Sequence, residues 1–375
     1  MKIINVVGAR PNFMKISPIM KAYAKYPDIS PFLVHTGQHY DINMSDLFFK
    51  QLEIPEPDLN LGIESGSDIS KIAKIMQQFE PVVKENKPDA VLVVGDVNST
   101  IACGMVAVKL GIKLIHVEAG LRSNDRSMPE EINRILTDSI SDLLFCTEQS
   151  GVDNLLNEGV SSDKIYLVGN VMIDTLLKNK EKAESSKILG KLNLTRNEYA
   201  VLTLHRPSNV DNPVVFERIL DSINFIQNDI PVIFPVHPRT RQNLNVWSLN
   251  DNINEMSNLI LTDPLGYLDF LKLMSNAQIV LTDSGGIQEE TTILKVPCLT
   301  LRENTERPVT IDIGSNQLVG TNPDKIIDAY KKLKSGKVAD SSIPDLWDGQ
   351  AADRIVKTIY EIITSRAKCP NISSL

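Results

Sequence analysis

The sequence predicts an α/β protein of two consecutive domains, each a parallel sheet doubly wound by helices. Three observations predict it. Short apolar, β-branched runs alternate with helical patterns along the whole 375-residue chain. The runs are apolar at successive positions, as strands covered on both faces require. Polar motifs follow the runs at the carboxyl ends of the expected strands, the edge where open α/β sheets bind ligands.

In the first half the expected strands are Ile3–Val7, Pro31–Val34, Ala90–Val94, Lys113–Val117, Leu143–Cys146 and Ile165–Val168. In the second half they are Ala200–Leu204, Val232–Val236, Leu259–Leu261, Ile279–Leu281, Cys298–Leu301 and Gln317–Val319. The domain boundary is expected after Gly169-Asn170, giving domains 1–169 and 170–350. Residues 179–197, rich in Lys, Glu and Ser, are expected as a surface helix or loop opening the second domain. The last helix, Ala351–Ser365, either completes the second domain or returns to the first.

Bulk properties narrow the function classes. A formal net charge of −8 argues against nucleic acid as the main partner, though a phosphate ligand needs only a few local cations. No apolar run approaches the roughly 20 residues of a membrane span, and the first residues run straight into a motif, so a cytoplasmic location is expected. The four cysteines form no CxxC pair and no HxH or HExxH pattern occurs, so neither zinc nor another metal is expected. The chain has no GxGxxG, Walker or GxSxG sequence, which leaves nicotinamide cofactors, ATP use and serine hydrolysis unsupported.

The most telling motif is Asp283-Ser284-Gly285-Gly286, between an apolar run and a helix pattern that carries Glu289 and Glu290. Glycines admit close approach of a ligand, the first N–H groups of a helix favour an anion, and a carboxylate one turn later suits ribose hydroxyls. The motif therefore reads as a nucleoside diphosphate site; an ordinary strand–helix turn is the bland alternative. Arg10 and Lys15 follow the first strand and could hold a phosphate or a sugar, or pair with neighbouring carboxylates. Asp96 and Glu118 end apolar strands, where a carboxylate can serve as acid or base. Glu130 and Glu131 open a helix after Pro129, with Arg134 one turn on; their structural reading is helix N-terminal charge and a Glu130–Arg134 ion pair. His205 and His237 stand beside Arg206 and Arg239 at strand ends and suit an anionic ligand, whereas His35 and His116 lie within strands as core candidates. Arg307, in a loop after a strand, is a candidate sugar or phosphate contact.

Together these residues resemble the non-hydrolysing UDP-N-acetylglucosamine 2-epimerases. The likeness rests on Gly8-x-Arg10-Pro11-x3-Lys15, Gly95-Asp96, His116-Val-Glu118-Ala-Gly-Leu-Arg122, Pro129-Glu130-Glu131-x-Asn-Arg134, Thr282-Asp-Ser284-Gly285-Gly286-x-Gln-Glu-Glu290 and Thr305-Glu-Arg307-Pro308, in order along nearly the whole chain. The resemblance implies the glycosyltransferase-B architecture of two Rossmann-like domains, an interdomain cleft, and a final helix, 351–375, returning to the first domain. It implies interconversion of UDP-GlcNAc and UDP-ManNAc through a 2-acetamidoglucal intermediate, without a cofactor, in a homodimer serving surface polysaccharide synthesis. It makes Asp96, Glu118 and Glu130 the catalytic carboxylates and His205 the group that supports departure of UDP. It also implies substrate contacts from Arg10, Lys15, Arg134, His237, Phe270, Ser284, Gly285, Gly286, Glu290 and Arg307, with Phe270 at the uracil. Gln38 and His39 match part of a segment that holds a second UDP-GlcNAc as activator in relatives, but Tyr40 and Asp41 depart from it. Thr203-Leu-His205-Arg-Pro-Ser-Asn209 also departs from the commoner form and resembles branches acting on UDP-2,3-diacetamido uronic acids. A glycosyltransferase of the same architecture, or a silent UDP-sugar-binding protein, are the competing classes; the first leaves the carboxylate cluster without a role.

Overall fold

A computed structural model of the chain describes residues 1–37, 52–63, 66–336 and 341–367. It divides into two compact units, Met1–Thr175 with Asp345–Leu375, and Leu176–Pro344.

Unit 1 holds strands β1 (Lys2–Val7), β2 (Ser30–His35), β3 (Leu59–Asn60), β4 (Ala90–Val94), β5 (Lys113–Ala119), β6 (Leu143–Cys146) and β7 (Ile165–Leu167). They form one parallel sheet in the order β3-β2-β1-β4-β5-β6-β7. Helices α1 (Arg10–Ala22), α2 (Asp68–Asn86), α3 (Asn98–Lys109), α4 (Pro129–Ile140), α5 (Gln149–Asn157), α6 (Val171–Ala183) and, at the far end of the chain, Ala351–Ala367 cover it. Every residue of β4 is buried, as a central parallel strand demands. The chain order reverses between β1 and β4, where the loops after the two strands turn to opposite faces and open a crevice.

Unit 2 repeats the plan. Its strands are β8 (Ala200–Thr203), β9 (Val232–Pro235), β10 (Leu259–Thr262), β11 (Ile279–Thr282), β12 (Cys298–Thr300) and β13 (Asn316–Leu318), in the order β10-β9-β8-β11-β12-β13 and parallel throughout. The switch falls between β8 and β11. The core strings Leu202, Phe216, Ile223, Phe234, Leu281 and Leu299 along the sheet. Among its helices, α7 (Pro238–Val246), α8 (Tyr267–Ser275) and α9 (Gly285–Leu294) follow strands at the edge that carries the polar motifs.

Two expectations are corrected. The two-residue edge strand β3 had no sequence signal, because so short a pairing needs no apolar run. Strand β5 extends past Val117 to Ala119 through a register shift, and Glu118 takes φ +74° in that bulge. The polar segment after residue 179 is, as expected, a surface helix and loop: helix α6 runs on to Ala183, and only Asn179, Ala183 and Ile188 of the segment are buried.

The final helix is bound into unit 1 by specific contacts. The Asp174 carboxylate accepts from the backbone N–H groups of Ala351 (3.1 Å) and Ala352 (2.7 Å), capping that helix from a distance in sequence. Trp347 is buried and its indole N–H donates to the Thr147 carbonyl at 2.9 Å. Gly169, at φ +85°, lies against the Leu346 carbonyl oxygen, 2.0 Å from where a Cβ would sit, so no other residue fits.

Burial raises the Asp174 carboxyl to about 6, against the pull of the two N–H groups. Its native pKa therefore exceeds that of the unfolded chain. The contribution to stability is full below the unfolded pKa of about 4 and is lost as pH rises through about 6. Asp174→Asn, which keeps an acceptor without the charge, is expected to flatten the pH dependence of the urea midpoint in that window.

Candidate active site

At the switch point of unit 1, residues following three strands, β1, β4 and β5, meet. Asn12 on α1 accepts from the N–H groups of Gly8 (3.2 Å) and Ala9 (2.9 Å) and donates to the Val94 carbonyl (2.9 Å), which ties the β1 turn to β4. Lys15, one turn along α1, is buried and ion-paired with buried Glu118. A Cβ on Gly95 would lie 2.8 Å from the Lys15 ammonium, and Gly95 itself has φ +67°. Glycine is therefore required there both by backbone and by space. The bulge in β5 turns the Glu118 side chain into this crevice, at the backbone strain a positive φ imposes on a side-chain-bearing residue.

Asp96 follows Gly95 and keeps its side chain 27% exposed. Its Oδ2 accepts from Arg134 at 2.5 Å, and the other end of that guanidinium bonds Glu131 at 2.7 Å. Glu131 also accepts from the backbone N–H groups of Ser123 and Asn124 and from the Ser123 hydroxyl. The expected Glu130–Arg134 pair is thus replaced: Arg134 turns inward to Glu131 and Asp96, since a buried guanidinium requires buried carboxylates. Glu130, one position earlier on α4 and half-buried, has no hydrogen-bond or ion-pair partner among the described residues. The two adjacent glutamates therefore differ in kind. Glu131, read in the sequence as helix N-terminal charge, is a buried structural acceptor, and Glu130 is a half-buried carboxylate with no such partner among the described residues.

At the switch point of unit 2, Asp283 is fully buried and gathers the edge around itself. It accepts from the N–H groups of His205 (3.0 Å) and Arg206 (2.9 Å), from the Asn209 amide (3.3 Å), and from Nδ1 of His205 at 2.9 Å. Burial alone would raise its carboxyl, but the His205 charge and these hydrogen bonds outweigh it and hold the pKa below the usual carboxylate range. With Nδ1 engaged, Nε2 of His205 is the nitrogen left to face solvent or ligand. His237 caps α7 by accepting from the Arg239 N–H (3.3 Å), and its ring lies 5.9 Å from that of His205.

Helix α9 begins at Gly285, with Ser284 as its N-cap and no side-chain cap bond. Its first N–H groups are free for an acceptor. Arg307 is buried against Gly285 and bonds Glu289 at 2.6 Å; Glu306 lies among Arg206, Arg302 and Arg307. Glu290, also buried, accepts from the Tyr267 hydroxyl at 3.1 Å, and Phe270 is half-buried one turn along α8. Gly286 lies beside Gly285 in the first turn of α9. The Arg10 side chain, Gln38 and His39 lie outside the described residues. Asp283 and Tyr267 were legible only as motif neighbours: nothing in sequence distinguishes a buried anchor from an exposed turn residue.

The chain matches, over residues 21–360, the protein family described as UDP-N-acetylglucosamine 2-epimerase. It belongs to that family. UDP-N-acetylglucosamine 2-epimerases are isomerases, and the likeness extends over whole chains. One from Methanococcus maripaludis is 43% identical, with 96% of this chain and 98% of the relative covered. The UDP-2,3-diacetamido-2,3-dideoxy-D-glucuronate 2-epimerase of Pseudomonas aeruginosa is 40% identical, covering 96% and 100%. The crystal structure of the Methanocaldococcus jannaschii UDP-GlcNAc 2-epimerase, in complex with UDP-GlcNAc and UDP, has a TM-score of 0.90 at 42% identity, covering 96% and 100%. The glycosyltransferase-B type of fold expected from sequence is that of this epimerase family.

Two consequences can be measured in this epimerase family member. Glu131→Gln leaves Arg134 short of a carboxylate in a buried network and is expected to cost about 3 kcal/mol or more of unfolding free energy. Glu130→Gln is expected to change it by about 0.5 kcal/mol or less. Equal losses in urea denaturation would contradict the assignment. A Cβ on Gly285 would come within 2.6 Å of Arg307 and 2.8 Å of Glu306. Because both are buried and paired, Gly285→Ala is expected to cost about 1–3 kcal/mol, read from the same denaturation midpoints.

Proposed function

We propose that this chain interconverts UDP-N-acetylglucosamine and UDP-N-acetylmannosamine by eliminating UDP across C1–C2 and adding it back to a 2-acetamidoglucal. The observation that carries the reading is the carboxylate set of unit 1. Asp96 and Glu118 are each held by a cation, and Glu130 has no hydrogen-bond or ion-pair partner among the described residues. A binding protein or a glycosyltransferase has no use for three such groups, whereas this reaction does.

The C2 proton has no neighbouring carbonyl and is weakly acidic. Breaking the C1–O bond must therefore run ahead and build positive charge at C1, which nearby carboxylates stabilise. Removing the proton from one face and returning it to the other requires more than one acid/base group. Asp96, Glu118 and Glu130 fill those roles in our reading, and Lys15 and Arg134 set the charge of the first two. Charge growing on departing UDP falls to the N–H groups of Gly285 and Gly286, to the Ser284 hydroxyl, whose own N–H is taken by the Thr282 hydroxyl, and to His205, whose proton on Nε2 can be donated while Asp283 holds Nδ1. Arg10, His237 and Arg307 complete the cationic surroundings, Glu290 takes the ribose hydroxyls and Phe270 the uracil side. Gln38 and His39 are assigned to an activating second UDP-GlcNAc.

A second substrate has a specific observation in its favour. The 40% identical Pseudomonas aeruginosa relative acts on a 2,3-diacetamido uronate, and Thr203–Asn209 of this chain resembles that branch. Incubation in deuterium oxide, followed by NMR of the sugar C2 position, decides between them. Deuterium at C2 and UDP-ManNAc from UDP-GlcNAc are expected; exchange only with the diacetamido uronate nucleotide moves the assignment to that substrate, and exchange with neither removes the epimerase reading. Glu130→Gln is expected to slow exchange by about 100-fold or more, the size of a lost acid/base group.

A further inference from the structure

His116 on β5 is fully buried, and both of its ring nitrogens face acceptors. Nδ1 lies 2.6 Å from Oδ1 of Asp138 on α4, and Nε2 lies 2.9 Å from the Gly95 carbonyl oxygen. A carbonyl can only accept, so Nε2 carries a hydrogen. The other oxygen of Asp138 accepts from the Gly120 N–H at 3.1 Å and from the Arg122 guanidinium at 2.7 Å. Arg122 in turn bonds Glu158, and the Lys15–Glu118 ion pair stands at Gly95.

The pair touches two turns. His116 holds the Gly95 carbonyl, and the Gly95 N–H bonds the Val117 carbonyl at 3.0 Å. Asp138 holds the N–H of Gly120, whose φ is +81° and whose Cβ position lies 2.2 Å from the Gly151 carbonyl oxygen. Asp96 follows the first turn directly, and Glu118 stands between Val117 and the second.

We propose that buried His116 and Asp138 position the carboxylates Asp96 and Glu118 for the reaction assigned above, on which this role rests. Neither residue touches substrate in this assignment. The pair acts through Gly95 and Gly120, joining the turns after β4 and β5 by buried hydrogen bonds.

The test compares the full-length wild-type chain with Asp138→Asn and His116→Asn, each first shown to fold by circular dichroism, in the C2 exchange assay. For either variant kcat is expected to fall about 10–100-fold while KM stays within about twofold, as misplaced acid/base groups require. A folded variant with wild-type kcat, or one whose loss lies in KM alone, overturns the positioning role while leaving the reaction assigned above intact. Failure of the wild-type protein to exchange the C2 proton of either sugar nucleotide overturns that reaction and the positioning role with it.

Discussion

Parallel strands covered by helices on both faces admit few polar side chains along their length. In β4 every residue is buried and apolar, and the buried polar residues Asn5 of β1 and His116 of β5 are held by hydrogen bonds. Most charged side chains therefore leave the sheet at its ends. Both sheets have the same strand order, reversing after their first strand, so each opens one crevice at its carboxyl edge. Gly95, Asp96 and Lys15 occupy one crevice, and His205, Asp283 and Gly285 the other. The positions of the polar groups follow from this exclusion before any of their individual contacts is considered.

Within unit 1 the dominant problem is repulsion and desolvation among carboxylates. The structure answers it by assigning cations one by one. Lys15 goes to Glu118, Arg134 is shared by Asp96 and Glu131, and Arg122 is shared by Asp138 and Glu158. Buried pairs of this kind add little net stability, because desolvation cancels most of the attraction. Their value is in orientation: removing a partner is costly, so each side chain has one place to be. Glu130 lies outside this scheme. The bulge at Glu118 is a second concession, since a non-glycine residue at φ +74° persists only where its surroundings enforce it.

Unit 2 solves a different problem, that of holding backbone N–H groups and an imidazole ready for an anion. Asp283 draws the turns after β8 and β11 together through four donors and sets which nitrogen of His205 is outward. The arginines of the loop after β12 are consumed largely by Glu289 and Glu306. They shape the start of α9 and crowd Gly285; their contribution there is position as well as charge.

The strand plan, the two-unit α/β class and the edge location of the motifs were all legible in the chain, because period, apolar runs and glycine turns are local properties. So were Asp96, Glu118 and His205 as polar residues at strand ends, and Glu130 as an acidic residue at a helix start. The partition of roles was not. Glu130 and Glu131 are adjacent and chemically identical, yet one bonds Ser123, Asn124 and Arg134 and the other bonds nothing among the described residues. Asp138 stands in an unremarkable helix and Asp283 inside a motif read for its glycines, and both become anchors only when His116, Arg122 or His205 arrives from elsewhere in the chain. Sequence by itself determined which residue types stand at the end of each strand. Only the tertiary structure decided which carboxylate is neutralised and which is free, because that depends on distances between groups far apart in the chain and on how much water remains around them.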